Sequence, residues 1–283
     1  MQQLQSKMHK KKKSHTKLNM PNPIITLTTD FGLKDPYVAE IKAAILSISP
    51  SATIVDVSHE VEKFNVRMGA FILASASSYF PKGTIHLAVV DPGVGTKRQP
   101  ILIQTKHGYF VGPDNGVLAL AARNEEIKHI YKITNQKLML PRISNTFHGR
   151  DIFAPAAAHL ANGTSPEEFG REISEIVMPE FAKIIRRKNM LVGEVIHIDD
   201  FGNIITNFGE KELELMNAKV MFNVKLKDIR QKPKLCKAYA EVEPQKPLAI
   251  IGSHNFLEIS INQGNAAKTF KTKIGDKIIV YRP

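Results

Sequence analysis

Cysteine is almost absent from this chain of 283 residues, in which Cys236 is the only one. A lone cysteine excludes an internal disulfide framework and a cysteine-based zinc cage, and it suits a reducing compartment. Long apolar runs are also missing, because no stretch approaches the roughly 20 residues that span a bilayer. The first residues lack the apolar centre of a secretory signal. We therefore expect a cytoplasmic protein with no membrane partner.

Acidic residues are missing from the first nineteen positions, which contain six lysines at 7, 10–13 and 17. These lysines supply half of the net charge of +12. A short segment rich in Gln, Lys and Ser is typical of a solvated, disordered tail, so we predict one over residues 1–22. An arm that binds nucleic acid is the less favoured alternative, since clustered lysines attract phosphate.

Strands and helices alternate along the first part of the chain. Apolar β-branched runs predict strands at 24–28, 53–57 and 84–90, and helical spacing predicts helices at 37–48 and 66–79. A hairpin at 101–105 and 109–111 follows, and then helices at 117–123 and 154–161. Such alternation predicts an α/β/α layered domain on a largely parallel sheet, which with a terminal linker covers residues 23–189.

Short apolar segments separated by turns make up the rest of the chain. They predict strands at 191–198, 219–224, 238–242, 248–251, 257–261 and 277–281. A smaller, mostly β, barrel-like domain is therefore predicted over residues 190–283.

Complete cofactor and metal signatures are also lacking. Gly93-x-Gly95-x-x-Arg98 resembles the start of a dinucleotide fingerprint without its third glycine, and no phosphate-binding Gly-Lys-Ser/Thr sequence is present. We expect these glycines to let the backbone pass close to a ligand. No His-x-x-x-His or Cys-x-x-Cys spacing occurs, so we predict no metal site and no cofactor.

Two polar loops of the first domain follow predicted strand ends, where ligands bind in α/β sheets. Asp91 and Arg98 lie in one loop and His148 in the other. Each alone is compatible with a structural role, but together they offer an acid, a cation and a group that titrates near neutral pH. Asp30, after the first strand, is either a helix N-cap or an acceptor for ribose hydroxyls.

The second domain contains one polar interruption, Asp199-Asp200-Phe201-Gly202-Asn203. A plain β-turn explains this sequence. The alternative is a small-molecule corner, in which an aspartate meets an ammonium group, Asn203 hydrogen-bonds a heterocycle and Phe201 stacks on it.

Five separated motifs together resemble the S-adenosylmethionine hydroxide adenosyltransferases, relatives of fluorinating and chlorinating enzymes. They are TDFG at 29–32, DPGVG at 91–95, FHGRD at 147–151, FGN at 201–203 and NQGNA at 262–266. The resemblance runs from about residue 24 to residue 281, and only the basic tail falls outside it. It implies hydrolysis of S-adenosylmethionine to adenosine and methionine by attack of water at the ribose 5′ carbon.

The resemblance also implies roles for individual residues. Asp91, Arg98 and His148 would form the catalytic, water-handling set, whereas the halogenases carry tyrosine at the position of Asp91 and tyrosine-serine in place of His148-Gly149. A buried carboxylate repels a halide and suits water, which argues against the halide-using alternative. A non-catalytic sensor of adenosine or S-adenosylmethionine remains a second alternative.

The substrate-binding residues follow from the same resemblance. Asp30 would hold the ribose hydroxyls, Phe201 and Asn203 would contact adenine, and Asp199 or Asp200 would act with Ser253 on the methionine portion. The resemblance further implies a homotrimer whose pockets lie between one subunit's first domain and a neighbour's second domain.

Overall fold

The computed structural model describes residues 22–216 and 222–282. The first part of the chain contains six strands, β1 (Ile24–Thr29), β2 (Thr53–Ser58), β3 (Ile85–Val89), β4 (Pro100–Thr105), β5 (Tyr109–Pro113) and β6 (Ile127–Lys132). It also contains four helices, α1 (Tyr37–Ile48), α2 (Val66–Ser77), α3 (Ala119–Asn124) and α4 (Ala154–Ala161). The predicted elements of this part are confirmed, with ends that differ by a few residues.

These strands form one sheet in the order β2-β1-β3-β5-β4-β6. The pairs β1–β2, β1–β3 and β3–β5 are parallel, whereas β4 is antiparallel to both β5 and β6. The largely parallel sheet and its hairpin therefore match the prediction. Strand β6 was not predicted, because its charged residues Lys128 and His129 are exposed at the sheet edge and break the apolar pattern.

Helices cover both faces of this sheet. Helices α1 and α4 pack together on one face, where Ile41, Ile45 and the alanines of α4 meet Leu27 and Leu87 from the strands. Helices α2 and α3 pack on the other face. Small alanines in α4 allow it to lie close to the sheet. The result is the predicted α/β/α layering.

The second part is mostly β. Its strands are β7 (Ile185–Arg187), β8 (Met190–Ile198), β9 (Ile204–Gly209), β10 (Asn223–Leu226), β11 (Ile229–Gln231), β12 (Lys234–Cys236), β13 (Pro247–Ile251), β14 (Phe256–Ile261) and β15 (Lys277–Tyr281). Two short helices, α5 (Glu210–Leu215) and α6 (Ala266–Thr269), accompany them. These strands form a nine-stranded sheet in the order β11-β10-β15-β8-β9-β14-β13-β12, with β7 paired to β8.

Strand β8 explains why this sheet curls. Its first half pairs with β15 and its second half with β9, so the sheet turns along one long strand. The curled sheet forms a half-barrel, which confirms the predicted fold class. Phe71 of helix α2 belongs to a core cluster that also includes Ile196 of β8 and Phe256 of β14, so apolar packing continues between the two parts.

The predicted strand at 238–242 is wrong, because Tyr239–Glu241 forms a 3-10 turn that is closed when the Glu241 carboxylate accepts from the Lys237 backbone N–H at 2.9 Å. The predicted strand at 219–224 lies partly outside the described residues, and β10 begins at Asn223. The predicted tail falls outside them except for its last residue, and the domain boundary between 189 and 190 stays a prediction.

No helix in the described ranges is long and apolar enough to cross a membrane.

Candidate functional site

A compact ion cluster joins the two polar loops of the first part. Asp91 follows strand β3, Arg98 precedes β4, and His148 immediately precedes a π-helical turn, Gly149–Phe153, that leads into α4. The Arg98 Nε donates to both Asp91 carboxylate oxygens, at 3.1 Å and 2.9 Å. The Arg98 Nη2 also donates to the His148 Nδ1 at 2.8 Å. The structure therefore brings together the three residues that the sequence singled out.

Burial strengthens this cluster. The Asp91 and Arg98 side chains are only 5% and 8% exposed, so their attraction is little screened by water. The Arg98 guanidinium also lies 5.2 Å from the centre of the Phe153 ring. Burial lowers the pKa of His148, and the positive charge of Arg98 lowers that pKa further. The imidazole is therefore neutral at physiological pH.

Gly95 explains how the two loops come so close. Its φ angle is +75°, and a Cβ atom there would lie only 2.4 Å from the Asn145 carbonyl oxygen. Any other residue would push the Asp91 loop away from the segment that carries His148. Gly95 therefore allows two backbone segments to lie close together, whereas the predicted approach of this backbone to a ligand stays a prediction.

Asp30 lies at the same sheet edge, directly after β1, and it is 5% exposed. Its Oδ2 accepts from the Phe64 backbone N–H at 2.9 Å. The N-cap alternative is wrong, because α1 has Pro36 at its N-cap and no side-chain cap. A side chain held in this way keeps its second carboxylate oxygen for other donors.

A second set of predicted residues lines a cavity of about 770 Å³ in the β part. Asp199, Phe201, Asn203 and Ser253 are in its wall, and Phe201 is 80% exposed. Asp200 is exposed and is not in this wall. Of the two aspartates left open by the sequence, Asp199 is therefore the one that faces the cavity.

Asp199 already has a partner inside the protein. Its Oδ1 accepts from the Asn203 backbone N–H at 2.8 Å, and its Oδ2 accepts from the Asn203 Nδ2 at 2.8 Å. Asn203 is 8% exposed. This pairing closes the turn, so the plain-turn and ligand-corner interpretations of the sequence are compatible.

The cavity also contains polar residues that the sequence reasoning missed, Tyr239 and Glu258. The Tyr239 hydroxyl donates to the Glu258 Oε2 at 2.8 Å. Burial raises the pKa of Glu258, and the negative charge of Asp199 raises it further. The sequence does contain an indication of this pair, because Glu258 is the one acidic residue in the otherwise apolar strand β14. Acidic side chains are rarely buried unless they have a partner.

Histidines line another wall of this cavity. The His197 ring stacks on Phe71, with ring centres 4.4 Å apart and an angle of 17°. Burial lowers the pKa of His197, so this ring is neutral. His254 lies edge-on to the same Phe71 at 5.9 Å. Among the residues that the structure describes, Phe71 is the only one that lines this cavity and precedes residue 190.

The two predicted sets are thus separate in one chain. The residues that line the cavity include none of Asp30, Asp91, Arg98 and His148. Within residues 22–216 and 222–282, no group of three or more His, Cys, Asp or Glu side chains is arranged to hold a metal ion.

Comparison with known families adds independent information. A family model described as the SAM hydroxide adenosyltransferase N-terminal domain matches residues 25–170. A second model, described as the C-terminal domain of the same family, matches residues 193–279.

Several curated relatives are similar over most of their length. A protein of Methanocaldococcus jannaschii named (R)-S-adenosyl-L-methionine hydrolase is 40% identical over 270 residues, which cover 91% of this chain and 96% of that protein. A protein of the same name from Thermus thermophilus is 36% identical over 254 residues, covering 87% and 95%. A fluorinase of Actinoplanes sp. is 30% identical over 220 residues, covering 68% and 74%.

A solved structure supports the fold. The crystal structure of an uncharacterized conserved protein from Thermotoga maritima superposes with a TM-score of 0.77 at 40% identity. The match covers 92% of this chain and 100% of that one.

Proposed function

This chain belongs to the SAM hydroxide adenosyltransferase family, and on that premise we propose that it cleaves S-adenosylmethionine with water into adenosine and L-methionine. The observation that carries the proposal is the Asp91–Arg98–His148 cluster, in which one guanidinium holds both an acid and an imidazole. The relatives named as hydrolases support it.

Arg98 determines which proton His148 carries. A guanidinium has no acceptor and stays protonated, so the His148 Nδ1 that it contacts must be the acceptor. The neutral ring then carries its proton on Nε2. His148 therefore has no vacant nitrogen to receive a proton from a water molecule.

Asp91 is the remaining proton acceptor of the cluster. Arg98 donates three hydrogen bonds to its carboxylate, two from Nε and one from Nη2, and a carboxylate has about four lone-pair sites, so one stays available for water. In the proposed reaction, the water oxygen forms a bond to the 5′ carbon of the ribose while the bond from that carbon to sulfur breaks. The sulfur keeps the electron pair and leaves as the neutral thioether of methionine, and Asp91 receives the proton.

Magnitudes show why this small set of groups suffices. Holding water in line with the carbon–sulfur bond supplies on the order of 7–11 kcal/mol. General-base assistance contributes roughly 10²–10⁴ in rate. The sulfonium group is already a good leaving group, so this chemistry needs neither a cofactor nor a metal. A halide nucleophile fits less well, because it would meet the buried Asp91 carboxylate.

The substrate contacts in this proposal come from both parts of the chain. The free carboxylate oxygen of Asp30 accepts from the ribose hydroxyls, and Phe201 and Asn203 contact adenine. Ser253 and His254 line the cavity. In this proposal they contact the methionine portion. Asp199 can also accept from the methionine ammonium, because the two hydrogen bonds from Asn203 occupy only two of the about four lone-pair sites of its carboxylate.

A homotrimer would assemble these contacts into one site. In a single chain the residues of the catalytic cluster do not line the cavity, which supports a site built from the first part of one subunit and the second part of another. We also place the protein in the cytoplasm, in keeping with its one cysteine. Cys236 is buried and free, and burial raises the pKa of its thiol, which keeps it protonated and unreactive.

The test is to incubate the purified full-length protein with S-adenosylmethionine in oxygen-18 water without added halide. We expect adenosine that carries the heavy oxygen at its 5′ position. Asp91→Asn should lower the rate about 10²–10⁴-fold because the proton acceptor is lost. Asp228→Asn, which changes an exposed turn between β10 and β11, is the matched control and should retain full rate. Unlabelled adenosine, or an Asp91→Asn variant with full turnover, would contradict the proposal.

A further inference from the structure

Asn203 presents a fixed hydrogen-bonding face to the cavity, because Asp199 determines how its amide group is oriented. A carboxylate only accepts hydrogen bonds, so the atom of Asn203 that lies 2.8 Å from Asp199 Oδ2 must be the Nδ2 donor. The flipped amide would put two acceptor oxygens at that distance. Asn203 Oδ1 is therefore turned away from Asp199, and no donor in the described part of the chain reaches it.

The turn holds both partners of this pair in place. The Asn203 backbone N–H donates to Asp199 Oδ1 at 2.8 Å, and the Gly202 N–H donates to the Asp199 carbonyl at 2.9 Å. Gly202 has a φ angle of +86°, and a Cβ atom there would lie 2.2 Å from the Asn265 side chain. The Ala267 N–H also donates to the Gly202 carbonyl at 3.0 Å. Neither Asp199 nor Asn203 can therefore move away without opening the turn.

We propose that Asp199 is a positioning residue that makes this cavity select 6-aminopurines over 6-oxopurines. Asn203 Oδ1 is an acceptor, and the 6-amino group of adenine is a donor. The 6-oxo group of hypoxanthine is an acceptor and would face Asn203 Oδ1 without a proton between them. This inference rests on the proposed function in one respect, which is that the cavity receives the base of the substrate.

The same geometry specifies how the selectivity can be reversed. In Asp199→Asn, the backbone N–H of Asn203 still requires an acceptor, so the new amide oxygen takes the place of Oδ1. The new amide nitrogen then faces the Asn203 side chain as a donor. Asn203 responds by turning its oxygen toward residue 199 and its Nδ2 toward the cavity, where it can donate to a 6-oxo group.

The experiment measures equilibrium binding of adenosine and of inosine to the full-length protein by calorimetry. The unmodified protein should bind adenosine about tenfold more tightly than inosine, since one mismatched hydrogen bond in a buried site costs about that factor. Asp199→Asn should reduce this ratio by about tenfold or more. Asp228→Asn, the exposed control, should keep the original ratio. An unchanged ratio in a folded Asp199→Asn protein would overturn the inference, as would an unmodified protein that binds both nucleosides equally.

A second measurement does not depend on a variant. Purine riboside lacks the 6-amino donor, so the unmodified protein should bind it about tenfold more weakly than adenosine. Equal binding would refute the inference even if Asp199→Asn failed to fold. Binding requires no turnover, so failure of hydrolysis with intact nucleoside selectivity would remove only the proposed function. Hydrolysis without selectivity would remove only this inference.

Discussion

Arg98 is the residue on which the catalytic cluster depends, because its guanidinium contacts Asp91 and His148 at the same time. Lysine at this position could not reproduce the arrangement, since an ammonium is a point charge without the planar set of donors. The protonation state of His148 follows from this contact, and it has a measurable consequence.

Activity should persist into mildly acidic solution. Protonation of the His148 Nδ1 would place two donors face to face and break the contact with Arg98. Burial and the charge of Arg98 lower the pKa of His148 from its ordinary 6.5, so the neutral form survives as the pH falls through that value. We expect kcat/KM to stay level through pH 6.5 and to fall only below it.

A pH profile of kcat/KM for the unmodified enzyme measures this. The matched variant is His148→Asn, which keeps an acceptor but cannot titrate, and its residual activity should lack the acid limb that belongs to the imidazole. An acid limb centred at or above pH 6.5 in the unmodified enzyme would show that His148 is not held neutral in this way.

Helix α2 links the two parts of the molecule at the scale of elements. Its Arg67 pairs with Glu194 of β8 at 2.5 Å, and its Phe71 stacks on His197 in the cavity wall. The helix starts at a defined cap, because the Asn65 side chain accepts from the Met68 backbone N–H at 3.0 Å. The ordered first turn of α2 therefore supports the contacts that Arg67 and Phe71 make with the second part of the chain.

Removing the cap should destabilise the protein. Asn65→Ala leaves the Met68 N–H without its partner, and we expect a loss of about 1 kcal/mol in the free energy of unfolding. Denaturant unfolding followed by circular dichroism measures this change. Asn65→Ser keeps a capping oxygen and should recover most of the loss. If Asn65→Ala and Asn65→Ser are equally stable, the cap does not contribute as the structure indicates.

The elements also show what the sequence can predict. Strands β1 and β3 are recognisable as continuous apolar or β-branched runs because both of their faces are buried. Helices α1 and α2 are recognisable by their helical spacing because each buries one face. Strand β9 was missed because its polar residues Thr206 and Asn207 are buried and hydrogen-bonded inside the fold, a pairing that local sequence does not reveal.

The candidate site was predictable to a similar extent. Sequence motifs identified Asp91, Arg98 and His148, because catalytic residues are often found in the loops that follow strand ends. Motifs did not reveal that Asp199 binds Asn203, since this contact depends on the exact closure of one turn. The Tyr239–Glu258 pair was also missed, because its members come from a 3-10 turn and a strand that only the fold brings together.

At the scale of the whole molecule, the separate positions of the cluster and the cavity predict complementation between subunits. Asp91→Ala removes a catalytic side chain from the first part of the chain only, and Asn203→Ala removes a substrate contact from the second part only. If each site combines the two parts from different subunits, mixed oligomers contain some sites without either defect. Random mixing in equal amounts should restore about one quarter of the sites.

The measurement is the hydrolysis rate after the two inactive variants are unfolded together and refolded, with each refolded alone as the control. Sedimentation of the unmodified protein should give a mass three times that of one chain. Activity that stays at the level of the separate variants would mean that each chain builds its own site.

The position of strand β15 has a consequence for biosynthesis. In the completed sheet β15 lies between β10 and β8, and its Lys277 pairs with Glu194, 83 residues earlier. At about 5–20 residues per second, β8 waits roughly 4–17 s for this neighbour during translation. The first sheet, in contrast, has all its strands once Lys132 has been made. A nascent chain therefore contains a complete first sheet while the edge of β8 that later pairs with β15 is still apolar and unpaired. This edge is where a ribosome-associated chaperone would bind.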